Sequence, residues 1–305
     1  MRSLKHHRAP LVRHLVAAAL IAVARGAGAD DAAVVRRLDA LGGDVKYATK
    51  DDAGAVRVTE INVADGSALT ADDIAAFGGL GGLRKLQVQN CRELDDTAVQ
   101  SLLNLKHLDT LAITNSGITD EAVVAIAAAF PDLVDLDLSS NTNLTGAALK
   151  SIAGLQKLER LNLMQCRFND LHTRRIAKLA ALRALDLRGN MEAGDPTLAV
   201  VGSLPRLAAF KHRSSTVTDE GVGGLAESSS IESLLLQDFA ITDASGRHLA
   251  KLRKLSSLEM FRCQGFGTDG VLALAGLPLS RLTLRDLPDV GDPALAVLAE
   301  LPDLK

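Results

Sequence analysis

The side chains with chemistry to offer are three cysteines, four histidines in the body of the chain, and an aspartate that returns at a regular interval. Cys91, Cys166 and Cys263 could bridge or hold a metal. His107, His172, His212 and His248 could move protons or ligate. Asp120, Asp195, Asp219, Asp243, Asp269 and Asp292 could gather a cation. Spacing argues against each. No His-Glu-x-x-His, Cys-x-x-Cys, Gly-x-Ser-x-Gly or phosphate-cradling glycine loop is present, so no nucleophile or metal motif is marked. A Ser-His-Asp triad is not ruled out by chain order alone. His212 stands where neighbouring segments carry Leu187 and Leu236, which makes it a core histidine with a hydrogen-bond partner or the lining of a pocket. Asn143-Leu-Thr145 is a lone glycosylation sequon.

The element that must position these residues is a repeat. Its first apolar residue falls at Val58, Leu83, Leu108, Leu133, Leu158, Leu182, Leu207, Ile231, Leu255 and Leu279, in steps of 24 or 25. Each of the ten units reads L-x-x-L-x-L, then a gap of two, then a special position, then an apolar residue with Thr-Asp or equivalent, then an apolar stretch of helical period. In Leu108–Asp120, Leu111 and Ile113 alternate as on one face of a short strand, and Val123 and Ile126 follow at helical spacing. Neither element can bury its face alone, so stacked units share one core, with parallel strands joined by right-handed crossovers.

The special column reads Gly66, Cys91, Ser116, Asn141, Cys166, Asn190, Ser215, Phe239, Cys263 and Leu287. All three cysteines occupy it, three and four units apart. At roughly 4.8 Å per strand they stand at least ~14 Å from one another. A disulfide or a shared metal shell needs far closer approach, so neither is expected. The recurring Asp precedes Pro196 and Pro293, which suit the start of a helix, so Asp195 and Asp292 read as N-caps and Asp120, Asp219, Asp243 and Asp269 with them.

The pattern resembles leucine-rich repeats, of the cysteine-containing type with a Thr-Asp step. It is similar to secreted planctomycete-like bacterial repeat proteins, which also open on a Leu-Gly-Gly helix and hairpin, here Leu41-Gly42-Gly43 and 56–63. The resemblance covers residues 31–305 and implies an α/β right-handed solenoid, parallel strands on the concave face and helices on the convex face. No F-box-like helical segment precedes the repeats, so ubiquitin-ligase function does not carry over.

Residues 1–29 read as a signal peptide: Arg2, Lys5, Arg8 and Arg13 before the apolar run 15–24, then Ala27-Gly28-Ala29 as a cleavage site. The alternative is an N-terminal tail. The run is about half of what spans a bilayer, and no later segment is long enough. No cysteine follows the cleavage site to take a lipid. Export to the periplasm, cell surface or medium is therefore expected. Residues 30–57 read as an N-terminal cap, a helix to Leu41 and a hairpin through 45–47 and 56–58. Residues 58–305 are the repeats. At Leu301-Pro-Asp-Leu304 an eleventh unit would begin, which leaves an open end.

Composition narrows the function. The 305 residues carry net charge −3. Cleavage after residue 29 removes five of 34 basic side chains and none of 37 acidic ones, leaving −8. With one Tyr and no Trp, nucleic-acid stacking platforms are unsupported. The positions between the leucines face the inner curve. There the second half gathers Arg160, Asn162, Met164, Asp186, Arg188, Lys211, Arg213, Gln237, Glu259, Phe261, Arg262 and Arg285. Arginine with interleaved Met, Leu235 and Phe is the composition of interface centres. Pairing across strands, Asp137 or Asp186 with Arg160, is the competing explanation. The sequence thus reads as a non-catalytic exported scaffold that binds a protein through the concave face, without cofactor or metal. A glycan-binding module, or the recognition part of a larger protein, is the alternative.

Overall fold

The computed structural model describes residues 29–42, 45–52, 55–301 and 303–304. Residues 1–28 of the expected signal peptide, and Gly43 and Asp44, lie outside the described residues. The described residues form one 11-stranded sheet in which every strand pairs with its sequence neighbours. Only the first pair is antiparallel: β1 (Val45–Asp52) and β2 (Ala55–Val63) form the hairpin. From β2 onward pairing is parallel and in register. The strands are β3 (Lys85–Gln89), β4 (Thr110–Thr114), β5 (Asp135–Asp137), β6 (Arg160–Asn162), β7 (Ala184–Asp186), β8 (Ala209–Arg213), β9 (Ser233–Gln237), β10 (Ser257–Phe261) and β11 (Arg281–Arg285). They are short because each unit spends most of its residues returning. β2 belongs to both parts of the molecule, since it closes the hairpin and seeds the parallel array.

Helices fill the returns. They include α1 (Ala29–Leu41) ahead of the hairpin and α2 (Ala71–Gly78), α3 (Asp96–Leu102), α4 (Asp120–Ala129), α5 (Gly146–Ile152), α6 (Asp170–Thr173), α7 (Asp195–Gly202), α8 (Asp219–Leu225), α9 (Ala244–Leu249) and α10 (Thr268–Leu272). Many are two turns or fewer, too short to stand without packing. Their buried residues and the inward strand residues join in one continuous core, Leu111, Ile113, Val123 and Ile126 among them. The helix α1 docks over the first layer through Val34 and Leu38, and Asp31 accepts the Val58 amide at 2.7 Å.

The special column is a turn buried in most repeats; Ser116 and Leu287 are half-buried, and Ser215 is exposed while Ser214 beside it is buried. Asn141 donates to the carbonyls of Ile113 and Leu138 at 2.7 and 2.9 Å and accepts from the Ser116 amide. Asn190 repeats this toward Leu163, Leu187 and Phe168. Cys166 Sγ lies 3.2 Å from the Leu138 carbonyl in the same setting. Just before this column the backbone turns left-handed at Asn90, Asn115, Ser140, Gln165, Gly189, Asp238, Arg262 and Asp286. Asn, Asp and Gly, which tolerate such φ, hold five of these eight positions.

The aspartates act differently from the expectation. Thr119, Thr145 and Thr218 cap their own helices, each accepting from an amide two residues on. Asp120 and Asp219, which follow Thr119 and Thr218, lie in the first turn and reach to the next repeat; Gly146 follows Thr145 instead, and Asp243 stands at the N-cap position of α9 without capping it. Asp120 accepts from the amides of Thr145 and Ala148, and Asp96, Asp170, Asp195, Asp219 and Asp243 make the same step. Stacking brings the N-terminus of the next helix nearer to this carboxylate than its own free amides. Gly223 and Gly224 lie in the last turn of α8. A methyl on Gly202 of α7 would fall 2.2 Å from the Gly224 carbonyl, so α7 and α8 approach too closely for side chains there.

Candidate partner-binding face

The face of the sheet turned from the helices carries the residues read as partner-binding. Register sorts them into rows. Asn162, Asp186, Lys211, Leu235 and Glu259 form the middle row, neighbour to neighbour. Arg213, Gln237, Phe261 and Arg285 form a second row toward the strand ends. Arg160 begins a third, beside Ala184. Met164, Arg188 and Arg262 lie just past their strands. Met164, Leu235 and Phe261 are half-buried rather than fully exposed, because longer neighbours flank them. In the third repeat Ala112 and Thr114 are buried, so of its outward strand residues only Thr110 is half-exposed.

Charge pairing on this face differs in detail from expectation. Arg160 pairs with Asp135 at 2.7 Å, not with Asp137 or Asp186. Register sets Arg160 beside Asp135 and gives Asp137 to the Asn162 amide, 2.8 Å away. Asp186 is taken by Arg188 of its own segment, which donates from Nε and Nη2. Farther along, Arg213 and Arg262 both donate to Asp238, at 2.5 and 2.7 Å. Burial works to raise the Asp238 pKa, but the two guanidiniums outweigh it and hold the carboxyl below its ordinary value. Arg285 meets Asp286 at 3.6 Å. Lys211 is exposed and has no ion pair among the described residues.

Three cavities open along the strand ends. One of ≈ 920 Å³ lies at the first turns, between Gly66, Asn90, Arg92 and Ser116. One of ≈ 610 Å³ runs on the strand face from Gln89 and Asn115 to Asn162 and Met164, and its walls are mainly amides and hydroxyls, with the Asp137 carboxylate and the Met164 side chain among them. One of ≈ 730 Å³ sits beside the Asp238 bridge, lined by Met191, Phe239, Ile241 and Arg262. Asn115 donates to Asn90 at 2.7 Å on the wall shared by the first two. That pair, Met191 and Phe239 were not among the sequence candidates. Their signal was the left-handed column and the bulky Phe in the special one.

The groups with reactive side chains lie elsewhere. Cys91, Cys166 and Cys263 are free and fully buried. Burial pushes the Cys166 thiol up to about 12 and Cys263 to about 11, which leaves them protonated and inert at neutral pH. His212 is enclosed in the core. Its Nδ1 lies 3.1 Å from the Leu187 carbonyl and Nε2 2.8 Å from that of Ala193. Burial drives its pKa below the ordinary value, against the pull of those carbonyls. It is the core histidine of the two readings, placed between Phe210 and Phe239. Among the described residues no three His, Cys, Asp or Glu side chains gather as a metal would need, and no helix is long and apolar enough to cross a membrane.

Two sequence-family patterns match, each described as leucine-rich repeat, one over residues 131–191 and the other over 104–127 and 251–275. The repeats of this chain are leucine-rich repeats. No curated protein matches the sequence. Among solved structures, an internalin of Listeria monocytogenes shares the leucine-rich-repeat fold at TM-score 0.56 and 20% identity, over 91% of this chain and 80% of that one. A chain of the yeast Rad7–Elc1 complex aligns at TM-score 0.55 and 17% identity, over 81% and 75%. The leucine-rich-repeat ectodomain of the Arabidopsis thaliana receptor kinase GASSHO1/SCHENGEN3, solved with Casparian strip integrity factor 2, aligns at 0.52 and 19%, over 79% of this chain and 29% of that one. At these identities the likeness is one of fold.

Proposed function

We propose that this leucine-rich-repeat chain is a non-catalytic, exported scaffold that binds a protein partner through the strand face turned from the helices. The observation that carries the reading is the register. Parallel pairing sets Asn162, Asp186, Lys211, Leu235 and Glu259 side by side, so residues far apart in sequence present one ordered surface. Extended surfaces of this kind are what repeat arrays offer to macromolecules. Two of the structural neighbours were solved with another component, Elc1 in one and Casparian strip integrity factor 2 in the other. Export rests on residues 1–29, and the repeat type on the cysteine and Thr-Asp columns.

The test is affinity capture from envelope extract with the wild type and with Arg188→Glu/Arg213→Glu/Phe261→Ala. A partner enriched by the wild type should be lost by the variant. Equal recovery of every partner removes the reading. Cell fractionation with N-terminal sequencing checks export, and a mature start at Asp30 is the expected result. The cavity between Gln89 and Met164, walled mainly by amides and hydroxyls, favours a second reading, a glycan ligand. Soluble envelope glycans should then compete for capture.

A further inference from the structure

We infer that the partner presents an acidic, extended peptide segment with an apolar side chain to the second half of the strand face. This rests on the protein-binding reading above and names the chemistry of the partner.

The chain is acidic as a whole, net −3, yet this region is not. On the outward positions of β8–β11 and the turns that follow them stand Lys211, Arg213, Arg262, Arg281 and Arg285. Against them are Asp238, Glu259, Asp286 and Asp289, which leaves one positive charge in surplus. The surplus is concentrated where Arg213 and Arg262 share the single carboxylate of Asp238, each side chain 44% exposed. Arg213 spends only its Nε on that contact, so its Nη donors still face solvent. A guanidinium fork with open donors is suited to a second carboxylate, here one from outside. Lys211 adds an unpaired ammonium one row away.

Spacing selects an extended chain. Neighbouring strands stand about 4.8 Å apart, so β8 and β11 are roughly 14 Å apart. An extended peptide rises about 3.4 Å per residue and turns every second side chain to the same side, at about 7 and 14 Å. A segment crossing the strands can therefore set alternate acidic residues against the cations of β8, the Asp238 bridge and β11. Beside the bridge, the ≈ 730 Å³ cavity offers the exposed Met191 to one apolar side chain, over a floor of Phe239 and Ile241, which are themselves buried in the core. Nucleic acid fits less well, because the chain has no Trp, one Tyr and an overall negative charge.

Fluorescence anisotropy decides it. The probe is a labelled peptide of about twelve residues, glutamate alternating with serine and one central leucine, long enough to cover the ~14 Å span with residues to spare at each end. The control carries glutamine for every glutamate. The probe should bind at least about tenfold more tightly than the control, and Arg213→Glu/Arg262→Glu should lose about that factor. Asp238→Asn, which frees both guanidiniums, should bind the probe more tightly. Lys85→Glu, at the other end of the face, should leave binding unchanged. Equal binding of the glutamine control, or binding indifferent to Arg213→Glu/Arg262→Glu, overturns the inference. So does displacement of the probe by an equally charged single-stranded DNA at lower concentration. If the captured partner is lost on mutation but the probe never binds, the face binds protein and the acidic-peptide inference fails. If Arg-dependent probe binding is seen but every captured partner is unaffected, the scaffold reading is what fails.

Discussion

The carboxylate of Asp120 accepts a hydrogen bond from the backbone amide of Thr145, 25 residues away in sequence, at 2.8 Å. Thr145 caps its own helix with its hydroxyl, accepting from Ala147. One helix start is thus satisfied from two repeats, and the same link recurs along the array.

Asp120→Ala should destabilise the protein by about 1–2 kcal/mol, the scale of a lost cap. Urea denaturation followed by circular dichroism measures it. Asp269→Ala is the comparison: no link from Asp269 to the next unit is seen, and Thr268 accepts the Gly291 amide in its place. The effect of Asp269→Ala should be smaller.

His212 sets a pH dependence. Its pKa is lowered in the folded chain, chiefly by burial. Its ordinary value is near 6.5. The unfolded chain therefore binds the proton first as pH falls. The stability contributed by neutral His212 is full above about 6.5 and is lost as pH falls from there toward the folded pKa. His212→Leu should remove that part of the slope, and it should cost about 1–3 kcal/mol at neutral pH by leaving the buried carbonyl that accepts the single imidazole N–H without a donor. Melting curves between pH 5 and 8, where an ordinary histidine changes charge, read both effects.

Asp73 acts lower on the scale. The hydrogen bonds from Arg37 hold its carboxyl at about 2, with help from Thr70. Its contribution is present above the ordinary carboxylate range and is lost as pH falls toward 2. Arg37→Ala should return the Asp73 pKa upward, so that acid loosening of the N-terminal helix begins at higher pH. Carboxyl titration by NMR follows the group directly.

Gly202→Ala should be costly. The added carbon would meet the Gly224 carbonyl at 2.2 Å, and backbone on both sides prevents an easy shift. A loss of about 1–3 kcal/mol is expected, read as a lower melting temperature.

Much of this architecture was legible in the chain. The 24–25-residue step, the L-x-x-L-x-L pattern and the column holding Cys91, Cys166 and Cys263 determined the repeat, the strand, the core and the separation of the thiols. These are properties of local period, and a period survives without coordinates. What lies between repeats needed the tertiary structure. The aspartate column was visible, but that Asp120 serves Thr145 rather than its own helix depends on how two helices stack. Arg160 was visible as an outward cation, but register gave it Asp135 and left Asp137 to Asn162. The convergence of Arg213 and Arg262 on Asp238 spans three units. Hydrogen bonds and ion pairs act over about 3 Å, and only packing brings groups 25 residues apart to that distance.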